Sequence, residues 1–148
     1  MMHPSTKLRY GLRAMVDISL QPTDRPVLVQ SIAERQNISR KYLDQLLAQL
    51  RGAGLVRSIR GSRGGYFLAR PPEEITVQEI ASALDGAPTL LECVDDASAC
   101  ARSEFCIAIE FWRDLSELIS EKMKKTTLVD LARRDGEKRG AGSSMYYI

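Results

Sequence analysis

Histidine and tryptophan each occur once in these 148 residues, and phenylalanine only three times. With imidazole nearly absent, and no nucleophile set beside a base, the chain does not read as an enzyme. A small electron carrier is disfavoured with it, since no nucleotide motif occurs. Gly61-x-x-Gly64-Gly65 superficially suggests a phosphate loop, but Gly-Lys-Ser/Thr does not follow and the segment opens a strand, not a helix. No apolar run approaches the roughly 18 residues that a membrane span needs. Met1-Met2-His3-Pro4-Ser5 lacks the apolar stretch of a signal peptide, which predicts a cytoplasmic protein with no membrane partner. Three cysteines are few and odd in number, and a reducing cytosol is hostile to a disulfide framework. No internal repeat is visible.

What is present is a core-forming composition and an uneven charge. Hydrophobic residues make up 44%, enough to bury a core, and the length suits one domain or a small domain with an appendage. Net charge is only +2, yet residues 1–70 carry 12 Lys/Arg against 4 Asp/Glu, a balance of +8. Residues 71–148 carry 9 against 15, a balance of −6. The front half is suited to a polyanion, and the rear half is not.

Helical periodicity begins at Thr6, read as an N-cap, with Leu8, Leu12, Met15, Val16 and Ser19 on one face until Pro22 and Pro26 intervene. A second helix spans about Val29 to Gln36 with Ile32 and Ala33 inward, and Asn37 provides a left-handed stop. Ser39 caps a third helix carrying the stripe Leu43, Leu46, Leu47 and Leu50, which Gly52 and Gly54 close. The three-residue connection Asn37-Ile38-Ser39 makes these two helices a helix-turn-helix. Leu55–Ile59 and Tyr66–Ala69 then read as two strands around the glycine-rich tip Arg60–Gly65. Three helices followed by a hairpin give the order of a winged helix-turn-helix.

Pro71-Pro72 marks a boundary. Thr76 and Glu79 have capping-box spacing and open a helix carrying Val77, Ile80, Ala81 and Leu84, which Gly86-Ala87-Pro88 ends. Residues 91–105 read as a polar, acidic loop, followed by a long helix from about Ser103 to Lys125. Its stripe Ala108, Phe111, Leu115 and Leu118, widened by Ile107, Trp112, Ile119 and Met123, calls for a partner surface, here a second copy or the chain's own core. Thr127-Leu128-Val129-Asp130 opens a short last helix. The expected fold is therefore mainly α with one small β-hairpin. It divides into a winged helix-turn-helix head at 1–72, an acidic cysteine-bearing loop with flanking helices at 73–135, and a mobile tail at 136–148.

The second helix of a helix-turn-helix enters the major groove with its N-terminal residues at base edges. Here those residues are Ser39, Arg40, Lys41, Tyr42, Asp44 and Gln45. Arg40 and Gln45 have the bidentate chemistry for purine edges, Asp44 is able to accept from cytosine, and Lys41 suits a phosphate. Arg60 and Arg63 occupy the tip of the wing, where the backbone or minor groove is reached, and Arg9 and Arg13 reach phosphates from the first helix. Arg25, Arg35 and Arg70 read as ordinary surface charges.

Cys93, Cys100 and Cys106 form C-x6-C-x5-C, all within fourteen residues at the entry to the long helix. Three thiolates on a loop are able to converge on a soft metal, with one further ligand completing a cluster or zinc site. The same three residues also fit unlinked, redox-sensitive thiols.

Several of these segments together resemble a known family. Ser5-Thr6-Lys7 with Arg9-Tyr10-Gly11-Leu12-Arg13-Ala14-Met15, then Ile32-Ala33-Glu34-Arg35-Gln36 followed by Ile38-Ser39 and Tyr42-Leu43, are similar to the opening and helix-turn-helix of the iron–sulfur cluster regulators (IscR/NsrR-like transcription factors). Gly54-Leu55-Val56, Arg60-Gly61 and Gly64-Gly65-Tyr66 match their wing, and Glu74-Ile75-Thr76-Val77 with Ile80 extends the match, which covers about residues 5–125. The resemblance implies a homodimer on a palindromic double-stranded DNA operator, with Phe111, Leu115 and Leu118 in the dimer interface. It also implies an iron–sulfur cluster, 2Fe-2S or 4Fe-4S, on Cys93, Cys100 and Cys106, responding to iron, redox state or nitric oxide. The first cysteine gap is one residue longer than the commonest family spacing, which leaves the cluster type open. The family's histidine, three residues past the third cysteine, is Ile109 here, and the aspartate that nitric-oxide-sensing relatives use is replaced by Arg9. Glu104, Glu110 and His3 stay open as fourth ligands. Some relatives lack the cysteines, so a cluster-free winged-helix regulator controlled by thiol oxidation or a partner protein is the alternative.

Overall fold

The computed structural model describes residues 4–87 and 89–145, with side chains as far as Gly142. His3, Pro88 and the last three residues of the expected tail lie outside the described residues. Helix α1 spans Thr6–Ser19, α2 Val29–Gln36 and α3 Arg40–Gly52. Strands β1 (Val56–Ile59) and β2 (Gly65–Leu68) pair antiparallel, with Val56 opposite Leu68 and Ile59 opposite Gly65. A 3₁₀ turn at Pro72–Glu74 leads to α4 (Val77–Asp85). Three short turns follow, α5 (Glu92–Asp95) and the 3₁₀ segments Ala97–Ala99 and Ser103–Phe105. Helices α6 (Ile107–Lys125) and α7 (Leu128–Met145) follow. The mainly helical winged helix-turn-helix with a single hairpin is the fold expected.

Local chemistry accounts for most boundaries. Ser39 Oγ accepts from the Tyr42 amide at 3.2 Å to cap α3, and Asn37 takes the left-handed φ of 52° that ends α2. The Thr76–Glu79 capping box is closed in both directions. Helix α1 starts differently from expectation, because Ser5 rather than Thr6 is the cap, accepting from the Leu8 amide at 3.0 Å. Its buried face is also rotated from the one expected, to Gly11, Ala14, Met15 and Ile18. Close packing on α4 explains this. A Cβ on Gly11 would lie 2.2 Å from Leu84 Cδ1, so only glycine lets the two helices approach so nearly.

The core crosses the expected boundary at residue 72. Met15, Ile32, Leu43, Leu46, Leu47 and Leu50 of the first three helices form one cluster with Ile75, Ile80, Leu84 and Leu128. The Val77 amide donates to the Thr126 carbonyl at 2.9 Å and the Leu128 amide to the Ile75 carbonyl at 2.8 Å. These bonds clasp the start of α7 to the start of α4.

Two expectations for the rear half are corrected. The long helix begins at Ile107 and not Ser103, because Cys106 is extended (φ −89°, ψ 106°) and separates the 3₁₀ turn from α6. The expected tail from 136 is helical as far as Met145. Asp135 and Arg139, one turn apart at 2.6 Å, with helix-favouring Glu137, Lys138 and Ala141, carry α7 through its glycines.

Candidate nucleic-acid interface and cysteine loop

Helix α3 divides cleanly into two faces. Leu43, Leu46, Leu47 and Leu50 are buried, which turns Ser39, Arg40, Lys41, Asp44 and Gln45 out to solvent. Tyr42 is half-buried, its ring edge-on to Tyr10 of α1 with centroids 5.9 Å apart. The hairpin places its tip beside α3, so that Arg40, Arg51 and Arg60 line one open groove with Gln30 and Ser62. Arg63 is exposed on the same hairpin tip but does not line that groove. Gly65 fixes the hairpin from behind. Its Cβ position lies 2.3 Å from the Val27 carbonyl, and Val27 and Tyr66 exchange two backbone hydrogen bonds at 2.8 and 2.9 Å.

Arg51 was not among the residues expected here. It donates to Ser58 Oγ at 3.1 Å, tying the end of α3 to β1, and its signal in the sequence was its place three turns after Arg40. Arg9 and Arg13 are exposed on α1, with guanidinium carbons 5.9 and 5.3 Å from the Tyr10 ring centre.

Arg13 is held from the end of α2. Its Nε donates to Gln36 Oε1 at 3.2 Å, and its Nη2 donates to the Gln36 carbonyl. Gln36 Nε2 in turn donates to Asp17 Oδ2 at 2.9 Å. Asp17 is only 2% exposed and receives Arg35, whose Nε and Nη2 reach its two oxygens at 2.6–3.2 Å. The hydrogen bond to Asp17 raises the Arg35 pKa above its ordinary value. Arg35 is therefore no ordinary surface charge, and neither is Arg70, which pairs with Glu79 at 2.7 Å. A carboxylate between Met15 and Ile18 on a buried helix face was the available signal, since such a group requires a partner.

The cysteines lie on the three short turns and their junctions. Cys93 is half-buried on α5, while Cys100 and Cys106 are exposed, and all three are free thiols. No residue from 91 to 108 is buried. The donor set, three thiols within fourteen residues, fits a soft metal or iron–sulfur cluster in its chemistry. As folded here they stand apart, and no group of three His, Cys, Asp or Glu converges to hold a metal among the described residues. Ile109, at the position of the family's histidine, is buried and packs α6 inward. The expected dimer residues are placed outward. Phe111 is 61% and Leu118 64% exposed, with Ile107 at 83%, and Leu115 is half-buried between them.

An outward recognition helix beside an arginine-tipped hairpin defines a winged helix-turn-helix DNA-binding protein. A family model described as Rrf2, an iron-dependent transcriptional regulator, matches residues 4–134. The chain belongs to the Rrf2 family of transcription regulators and is not an enzyme. The HTH-type transcriptional regulator CymR of Bacillus subtilis is 39% identical over 145 residues, 97% of this chain and 98% of that protein. The HTH-type transcriptional regulator IscR of Erwinia tasmaniensis is 39% identical over 130 residues, 88% of this chain and 78% of that protein. The solved structure of CymR, described as the global cysteine regulator of B. subtilis, superposes with a TM-score of 0.76 at 37% identity, covering 90% of this chain and 98% of that one. Among the described residues, no helix is long and apolar enough to cross a membrane.

Proposed function

We propose that this regulator binds a palindromic operator as a homodimer, with its affinity set by an iron–sulfur cluster on Cys93, Cys100 and Cys106. The observation that carries the DNA half is the groove shared by Arg40 on α3 and Arg60 on the wing. In this reading Arg40 and Gln45 meet purine edges and Asp44 accepts from cytosine. Ser39 fixes the start of α3, Tyr42 holds it against Tyr10, and Lys41, Arg9 and Arg13 take phosphates. Arg60 and Arg63 reach the backbone or minor groove from the wing.

The dimer reading rests on the exposed row Ile107, Phe111 and Leu118, with Leu115 at its edge. Large apolar side chains at three- and four-residue spacing on one outward face suit a second copy of the same helix. The cluster, when bound, supplies an iron centre open to oxidants and nitric oxide. The residues around it do the rest. With no buried side chain between 91 and 108, the loop is free to close its thiolates together, and closure would reposition α6 against α4. Anaerobic purification with iron and sulfide analysis tests the metal half. The triple variant Cys93→Ala/Cys100→Ala/Cys106→Ala should fold, dimerise and bind DNA at one fixed affinity. A triple variant whose DNA affinity still follows oxidant or nitric oxide as the wild type does would refute the assignment.

A second reading has its own observation. The three free thiols stand apart, two of them exposed. That arrangement suits control by thiol oxidation without a cluster, and colourless, iron-free protein with oxidant-sensitive DNA binding would favour it.

A further inference from the structure

Helix α7 lies against α1, and the groove between them is floored by Leu12, Val16 and Leu131 and flanked by Arg9, Arg13, Arg134 and Lys138. We infer that α7 carries a second DNA contact, with Arg134 and Lys138 taking backbone phosphates beyond those reached by α3 and the wing. This rests on the DNA-binding reading above and extends its footprint.

Three observations support it. First, the cations of α7 are not equivalent. Arg133 pairs with Asp130 at 3.2 Å and Arg139 with Asp135 at 2.6 Å, whereas Arg134 and Lys138 form no ion pair among the described residues. They are exposed and four residues apart, so they project from one face of the helix. Second, that face opens onto Arg9 and Arg13 in the same groove, where the one carboxylate, Asp135, is already engaged by Arg139. Third, the α1 arginines sit at the entry end of α3. Arg13 is bonded to Gln36, three residues before the Ser39 cap, and both arginines flank Tyr10, whose ring meets Tyr42.

A basic strip therefore runs from the wing tip past the front of α3 and across α1 to α7. Its charge is complementary to a phosphate backbone, and four cations brought together from two helices suit a repeating polyanion better than a single small anion. The negative rear half of the sequence concealed this, because the basic part of α7 follows the acidic loop in the chain but rejoins the basic head in space.

The test compares salt dependence on one probe, a mixed-sequence duplex of about 30 base pairs read by fluorescence anisotropy. Each lost phosphate contact removes about 0.9 from the slope of log affinity against log salt. Arg134→Gln/Lys138→Gln should flatten the slope by about 1.8 per bound chain. Between about 50 and 200 mM salt the wild type should then lose about 12-fold more affinity per chain than the variant. Lys122→Gln/Lys124→Gln on α6 makes the same change in net charge at exposed residues away from the groove, and should leave the slope as in the wild type. Equal slopes for the α7 variant and the wild type would overturn the inference, as would equal flattening by both double variants. A change in oligomeric state by light scattering, without a change in slope, would assign the groove to a second copy and overturn it too. Failure of the wild type to bind any duplex would instead overturn the DNA-binding reading itself.

Discussion

Replacing Arg35 with methionine removes the cation that holds a buried carboxylate. Asp17 is 2% exposed and would keep only the amide of Gln36 at 2.9 Å, inside a helix face otherwise packed with Met15 and Ile18. Stranding a buried charge in this way costs about 3–5 kcal/mol. At about 2–4 °C per kcal/mol for a chain of this size, the melting temperature should fall by about 6–20 °C. Asp17→Asn is the milder change. It removes the charge at constant volume, and the Arg35 side chain, 37% exposed, is free to turn to water, so the loss should be about 1–2 kcal/mol. The double variant Asp17→Asn/Arg35→Met should be more stable than Arg35→Met alone, since the stranded charge is gone. Urea unfolding of the four proteins, checked for a constant m-value, measures the cycle. If Arg35→Met proved no worse than Asp17→Asn, or the two losses simply added, Asp17 would not depend on Arg35 as described.

Arg40→Ala should cost about 1–3 kcal/mol on the operator and much less on random duplex, whereas Arg63→Ala should weaken both and lower the salt slope by about 0.9. Equal losses on both duplexes for Arg40→Ala would move that residue to the phosphates. Phe111→Asp should yield monomers by light scattering, and dimers that persist would place the stripe outside the interface. Burial opposes the charged form of Glu79, but hydrogen bonds from Thr76 and Arg70 outweigh it and hold its pKa below the ordinary value. A carboxyl depressed in the folded state stabilises above its unfolded pKa of about 4.3, and that contribution fades as pH falls through the lower folded value. Glu79→Gln should therefore be less stable than wild type at about pH 7, with the deficit shrinking at about pH 3. A deficit that stays constant across that range would show that ionisation of Glu79 plays no part.

Features written in adjacent residues were readable without coordinates. The Ser39 cap, the left-handed Asn37, the capping box at Thr76 and the glycine-rich hairpin are each set within a few positions. What escaped depends on partners far along the chain. The packed face of α1 was misread because Gly11 and Ala14 carry little hydrophobic signal, and their value lies in how closely Leu84 approaches. Arg35 looked unremarkable because Asp17 is eighteen residues away on another helix. The helical stretch after Gly136 was missed because glycine frequency outweighed a one-turn ion pair. The outward residues on α3 could be nominated from spacing, but the grouping of Arg40 with Arg51 and Arg60 depends on how the hairpin folds back.

The clasp at Thr126–Leu128 gives α6 the mechanics of a lever. Backbone bonds to Ile75 and Val77 anchor its C-terminal end to the start of α4, and Gln78 Nε2 donates to Ser120 Oγ at 3.3 Å nearby. Its other end meets a loop without a buried side chain, secured inward by Ile109. Nineteen residues at about 1.5 Å each make an arm of about 28 Å. A tilt of about 5° around the clasp would carry Phe111, roughly 21 Å out along the arm, through about 2 Å. A small rearrangement at the clasp would thus be enlarged at the apolar row and at buried Ile109, and in the proposed dimer the spacing of two recognition helices joined through such arms would change with it.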